Sequence, residues 1–203
     1  MLDLYKQLKK KHNHVNHDWW PTSGRFVPRQ FEITVGAFLT QNTNWRNVEK
    51  ALSNMVEAKK ATAKAIAETP IPTLQKLVRP SGFYRQKAKR LRELCRFIEG
   101  HDDFYGSVTR DQLLALTGIG QETADSILLY ACNKPYFIID AYTRRLLLRE
   151  KIIGGKEKYD TLRDMFESSL PRKVNLYKEF HALIVEDGKS MRNTKIFGDE
   201  AKD

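Results

Sequence analysis

Between Leu116 and Asp140 the chain reads LTGIGQETADSILLYACNKPYFIID, and two parts of that stretch are equipped for chemistry. The hairpin Thr117, Gly118, Ile119, Gly120 sits between two helical patterns, and its glycines permit backbone conformations and a closeness of approach that a Cβ would block. Amides without partners at the start of the second helix then point outward, suited to a phosphate. Twenty residues beyond Gly120 stands Asp140, behind an apolar run and ahead of the helix formers Ala141 to Arg149. An aspartate there is an N-cap, which fixes the direction of its carboxylate and favours the ionised form. A grip followed by one fixed acid is what is needed to hold a nucleic-acid backbone and set a carboxylate against it.

The elements that position these groups read as helices. Pro28 suits a first helical position, and Phe31, Val35, Phe38 and Leu39 line one face of a helix running towards Gln41. Trp45, Val48, Leu52 and Met55 form the next apolar stripe. Short helices are predicted over Ala61 to Thr69 and Thr73 to Val78, separated by Pro70 and Pro72, and Arg79-Pro80-Ser81-Gly82 is a turn. From Gln86 to Ile98, Ala88, Leu91, Leu94, Cys95 and Ile98 make a core face, while Lys87, Lys89, Arg90, Arg92 and Arg96 crowd the other side. Thr109 and Gln112 fit a capping box, with Val108 and Leu113 placed for a hydrophobic staple. The helix after the hairpin spans Glu122 to Cys132 and stops at Lys134-Pro135. Tyr136 to Ile139 is a short buried connector, and Tyr159 to Leu170 and Val174 to Val185 are again helical. The fold class is all-α, and the polar tail after Gly188 reads as frayed.

Bulk properties narrow the function. A chain of 203 residues with a 41% apolar fraction can bury one sizeable core or two small lobes, which excludes a disordered tail. Lysine and arginine number 35 against 25 acids, and the net charge of +10 points to a polyanionic partner. Cys95 and Cys132 read as buried thiols in a reducing cytoplasm. The first residues lack a secretory signature, and no run reaches the roughly 18 apolar residues of a membrane span. The expectation is a cytoplasmic, nucleoid-associated monomer.

LTGIGQETAD, IIDAY and SGFYRQKAKRL together resemble the helix-hairpin-helix DNA glycosylase superfamily, in its endonuclease III branch, over roughly residues 28 to 185. Trp19-Trp20-Pro21 and LTQNTNW make the chain most similar to the small 3-methyladenine DNA glycosylases that lack an iron–sulfur cluster. The resemblance implies two helical lobes with an active-site cleft between them. One lobe would comprise residues 1–27 with 135–203, and the other residues 28–134, carrying the helix-hairpin-helix at 109–132. It implies an enzyme that swings a damaged nucleotide out of double-stranded DNA and cuts its N-glycosidic bond. Extrusion costs roughly a few kcal/mol, so replacement contacts and a pocket for the base are required. By similarity Gln41 and Phe83 wedge into the duplex; the alternative for Phe83 is a buried turn residue.

On this reading Asp140 faces C1′, stabilises the positive charge that develops on the sugar, and orients water. Its other role, a plain N-cap, is compatible. Bifunctional relatives place a Schiff-base lysine two residues after the second hairpin glycine; here that position is Glu122, so a monofunctional glycosylase without AP-lyase activity is implied. No cofactor is expected. The cluster-bearing loop of many relatives is missing too, since Met191 stands where its first cysteine would fall and only twelve residues follow. The resemblance also places a monovalent cation, K or Na, on the backbone carbonyls of Leu114, Leu116 and Ile119.

Trp19, Trp20, Pro21 and Trp45 are the base-pocket candidates, because an electron-rich aromatic slot favours a cationic alkylated purine. Against this, Trp45 begins a regular core stripe, and Trp19 and Trp20 could serve lobe packing. Phosphate contacts are assigned to the amides of Gly118, Gly120 and Glu122 and the side chains of Lys87, Lys89 and Arg144, with solvated charge as the plain alternative. His12, His14, His17 and Asp18 match no closed metal site by spacing. His181 reads as an interior or groove residue rather than a catalyst. The leading function is excision of 3-methyladenine-type alkylated purines. The alternatives are a uracil, thymine-mismatch or adenine-mismatch glycosylase, and a non-catalytic structure-specific DNA-binding protein, which would have no need of Asp140.

Overall fold

The computed structural model describes residues 1–12 and 19–199, with side chains through Met191. The described residues form helices and connecting turns with no strand, so the architecture is all-α. The chain divides into two compact units, a terminal unit of Met1–Trp19 with Asn133–Asp203 and a central unit of Trp20–Cys132.

The central unit is built round α2 (Arg29–Leu39), in which every residue from Phe31 to Leu39 is buried. Pro28, expected as the first helical residue, is instead the N-cap, one position before the helix starts at Arg29, and its extended ψ turns the chain into the helix. The segment before it is held by Glu32, whose carboxylate accepts the Ser23 and Gly24 amides. α3 (Trp45–Glu57) is capped by Asn44 and buries Val48, Ala51, Leu52 and Met55. α4 (Ala63–Ala67) and α5 (Ile71–Val78) are shorter than their neighbours, and both pack on α6 (Tyr84–Glu99). A single 3-10 turn, Arg79–Ser81, joins α5 to the Gly82-Phe83 corner.

After α7 (Phe104–Ser107), α8 (Arg110–Leu114) starts with the reciprocal Thr109–Gln112 capping box. α9 (Gln121–Ser126) follows the hairpin, and here the expected α-helix to Cys132 is only half right. Ile127–Ala131 winds as a π segment, with Cys132 N–H reaching Ile127 O at 3.0 Å. The segment is buried on every side, Leu129 and Tyr130 included, as Thr123–Ser126 before it are.

The terminal unit comprises α1 (Leu2–His12), α10 (Ala141–Arg149), α11 (Tyr159–Ser169) and α12 (Val174–Asp199). Phe137 stacks on Phe166 at 4.0 Å between centroids and meets Tyr177 and Phe180 edge-on, so the connector before Asp140 is anchored in the middle of the core. The expectation of fraying after Gly188 is corrected, because α12 continues through it. Gly188 lies under the Tyr142 ring, where a Cβ would collide, and Asp187 beside it accepts Lys11, His12 and Arg149. Burial would raise the Asp187 carboxyl, but these three donors bring it down to about 2. Those bonds hold α1 and α10 against α12. His14, His17 and Asp18 lie outside the described residues. Neither Cys95 nor Cys132 forms a disulfide, and burial pushes the Cys95 thiol up.

Candidate active site and nucleic-acid interface

Asp140 is fixed before any ligand arrives. Phe137 N–H donates to Glu167 at 2.8 Å and Ile139 N–H to the Tyr159 hydroxyl at 3.3 Å, which pins the connector on α11. Asp140 then caps α10, its Oδ1 accepting from Thr143 N–H at 2.7 Å and from Thr143 Oγ1 at 2.9 Å. The other oxygen, Oδ2, lies 3.7 Å from His181 Nε2, with the Asp140 side chain 14% exposed. Burial would raise this carboxyl, yet the nearby His181 imidazole and the two Thr143 bonds outweigh it, and the net shift is downward. The result is an ionised carboxylate with one oxygen committed to the cap and one left towards an imidazole.

His181 is itself buried on α12, with the Trp19 ring edge-on at 6.2 Å. Trp19 is held by Glu186, which accepts its indole N–H at 3.1 Å, and carries Lys189 Nζ over its face at 5.2 Å. Sequence reasoning missed the Asp140–His181 pair. Forty-one residues separate the two, and no local pattern records a contact at that range.

In the central unit Trp20 meets Trp45 edge-on at 5.8 Å and tilts over Tyr130 at 4.9 Å. The structure therefore groups Trp20 with Trp45 and assigns Trp19 to the terminal unit. Pro21 is exposed beside them in sequence. Trp45 is not a core residue like Val48, since its indole N–H bonds Glu49 at 3.0 Å on an exposed edge. Tyr130, on the π segment, is an addition to the aromatic group.

The hairpin is held from three sides. Gly118 takes φ +88°, a conformation that suits glycine, and the Arg90 side chain lies where its Cβ would be. Ile119 N–H bonds Leu116 O at 3.1 Å, closing the turn. Arg110 of α8 pairs with the fully buried Asp125 of α9 through Nε–Oδ1 at 2.7 Å and Nη2–Oδ2 at 3.3 Å, a fork that fixes the two hairpin helices against each other. Gly120 is the N-cap of α9, with open space around its Cβ direction. Arg90, counted in the sequence only as part of a basic face, thus belongs to the hairpin.

The two wedge candidates differ. Phe83 is 65% exposed, which removes the buried-turn alternative, and it holds a left-handed conformation with φ +46° at the N-cap of α6. Gln41 is half-buried, and its amide donates to Gly118 O and to Thr123 Oγ1, both at 2.9 Å.

Lys87 requires a correction. Predicted to face phosphate on the outer side of α6, it is 4% exposed and donates to three main-chain carbonyls, because the α6 face carrying it turns towards the end of α2. Lys89 is exposed as expected, whereas Arg144 is half-buried and donates to Glu157 O at 3.0 Å.

Residues 35–172 match the family described as HhH-GPD superfamily base excision DNA repair protein. The chain belongs to this superfamily. It is 40% identical, over 97% of its length and 90% of the other, to a protein of Methanocaldococcus jannaschii whose assignment as a DNA repair glycosylase is itself provisional. The crystal structure of H. pylori 3-methyladenine DNA glycosylase (MagIII) bound to 1,N6-ethenoadenine superposes with a TM-score of 0.79 at 34% identity, covering 93% of this chain and 97% of that one. A thymine-DNA glycosylase of Aeropyrum pernix is 29% identical over 73% of this chain and 68% of its own. This HhH-GPD protein is a DNA repair glycosylase, and its partner is DNA. Among its described residues no helix is long and apolar enough to cross a membrane.

Proposed function

We propose that this protein excises alkylated purines of the 3-methyladenine type from duplex DNA, hydrolysing the N-glycosidic bond without an AP-lyase step. The observation that carries the reading is Asp140, an ionised carboxylate aimed by Thr143 and His181 rather than left to rotate. As the C1′–N bond breaks, its electron pair leaves with the base. Asp140 stabilises the cationic sugar, and water, oriented by the same oxygen, bonds to C1′ while its proton passes to that carboxylate and on to solvent. A cationic 3-methylated purine departs as a neutral base and needs little acid assistance. Trp20, Trp45 and Tyr130 supply π faces that attract such a cation, with Pro21 next to Trp20 in sequence, whereas Trp19 serves beside His181 in the terminal unit.

Phe83 is the main wedge. Gln41 contributes by exchanging its hairpin bonds for duplex contacts. The amides of Gly118, Gly120 and Glu122, with Lys89, Arg90 and Arg144, hold phosphates, so affinity falls steeply with salt. Glu122 cannot form an imine, which argues for a hydrolytic enzyme. No redox or organic cofactor enters this chemistry. A monovalent cation on the carbonyls of Leu114, Leu116 and Ile119 suits the hairpin, where Leu116 O has a second lone pair beyond its bond from Ile119. The protein acts as a monomer.

The test is incubation with methylated duplex DNA and chromatography of the freed bases. Release of 3-methyladenine by the wild type and its loss in Asp140→Asn, with duplex affinity retained, is the expected result. The thymine-DNA glycosylase of Aeropyrum pernix favours thymine release as the second reading. Uracil- and thymine-mismatch duplexes run in parallel would reveal it, and duplex binding without any base release would leave a DNA-binding module.

A further inference from the structure

Lys87 is buried on the face of α6 turned towards α2, and its Nζ donates to Leu39 O at 2.8 Å, Gln41 O at 2.9 Å and Ser81 O at 2.7 Å. Leu39 ends α2, Gln41 lies two residues on, and Ser81 ends the turn that leads through Gly82 to Phe83. Gln41 in turn reaches the hairpin through its side chain. One hydrogen-bonded path therefore runs from the hairpin through the Gln41 turn and the Lys87 ammonium to the corner that presents Phe83.

We propose that Lys87 is a positioning residue that pins the Gln41 turn to the Phe83 corner, so that both segments meet the duplex as one rigid edge. The inference rests on the wedge reading above. Because the pin holds Gln41 by its main chain, the side chain can leave the hairpin for DNA without the turn collapsing. Three acceptors match the three N–H bonds of an ammonium; a neutral amine has two, and its lone pair would face the third carbonyl. Deprotonation thus loosens the pin. Burial alone holds this ammonium down to about 8. The elements packed against α6 carry Arg29 and Glu32 on α2, Lys64 on α4, Lys76 on α5 and Arg79 in the turn, and none of them contributes to the shift.

The experiment uses a duplex containing a tetrahydrofuran abasic-site analogue with 2-aminopurine opposite it, whose fluorescence reports insertion into the stack. For the wild type the insertion signal should fall about tenfold between pH 7 and pH 9, since one pH unit above its pKa a group is about a tenth protonated. Duplex affinity measured at each pH separates loss of insertion from loss of binding. Lys87→Gln should show weak insertion that no longer depends on pH. A folded Lys87→Gln with full insertion overturns the pin, as does full insertion in Lys87→Met where Lys87→Gln does not fold; a wild-type signal constant from pH 7 to pH 9 overturns its pH dependence. Absence of a wild-type signal at pH 7, or its persistence in Phe83→Ala, removes the wedge reading and the pin with it; the earlier outcomes leave the wedge reading in place.

Discussion

Asp140 and His181 face each other inside the terminal unit, Oδ2 to Nε2 at 3.7 Å, while Oδ1 is held by Thr143. That distance is longer than a hydrogen bond and short enough for charge attraction to a protonated imidazole. It leaves the outer oxygen attracted to the imidazole but still able to turn to a sugar.

Replacing His181 with alanine removes the main influence that offsets burial, so the Asp140 pKa rises. The acid limb of the base-release profile should move to higher pH, with plateau activity at neutral pH reduced less. Stability follows the same sign: a depressed carboxyl contributes above its unfolded pKa and loses that contribution as pH falls through its folded value. Acid unfolding of His181→Ala should therefore begin at higher pH. An unchanged acid limb would show that the pair has no electrostatic role.

Phe83 stores strain. A non-glycine residue in the left-handed region costs about 1–2 kcal/mol, and at 65% exposure its ring recovers little by packing. Phe83→Gly should match or exceed the wild type in thermal stability, by up to about 1 kcal/mol, while losing insertion into abasic-site DNA. Marked destabilisation would mean that the ring is structural.

Trp20→Ala and Trp45→Ala should each lower the rate of 3-methyladenine release about tenfold, in line with cation–π contacts of roughly 1–2 kcal/mol. Duplex affinity measured on an abasic-site analogue should be unchanged. Equal release by both variants would defeat the aromatic pocket.

Incubation with abasic DNA and borohydride should trap no covalent complex, because Glu122 stands where an amine would be needed. A trapped species seen by gel electrophoresis would establish a lyase step and locate its lysine.

Arg110→Met leaves Asp125 charged and buried without its fork, at a cost of about 3–5 kcal/mol in denaturant unfolding. The double variant with Asp125→Leu should recover much of this. Lack of recovery would indicate that Asp125 has other indispensable partners.

Local rules made much of the chain readable. The Thr109–Gln112 box, the glycine hairpin and the Asp140 cap are each encoded within about four residues, where one side chain and one amide decide the outcome. The apolar face of α6 was equally legible by its period, yet Lys87 on its flank was misread, because periodicity says which way a residue points and not which carbonyls wait there. The π segment escaped for a similar reason, since an i→i+5 bond leaves no mark in an apolar run, and so did the contact of its Tyr130 with Trp20.

Residue order alone thus settled the helical class, the hairpin and the capped acid. Tertiary packing alone set His181 beside Asp140, assigned Trp19 and Trp20 to different units, exposed Phe83 and buried Lys87. Those outcomes depend on segments distant in sequence meeting in a crowded interior, where desolvation makes each buried charge find a partner that its neighbours along the chain do not specify.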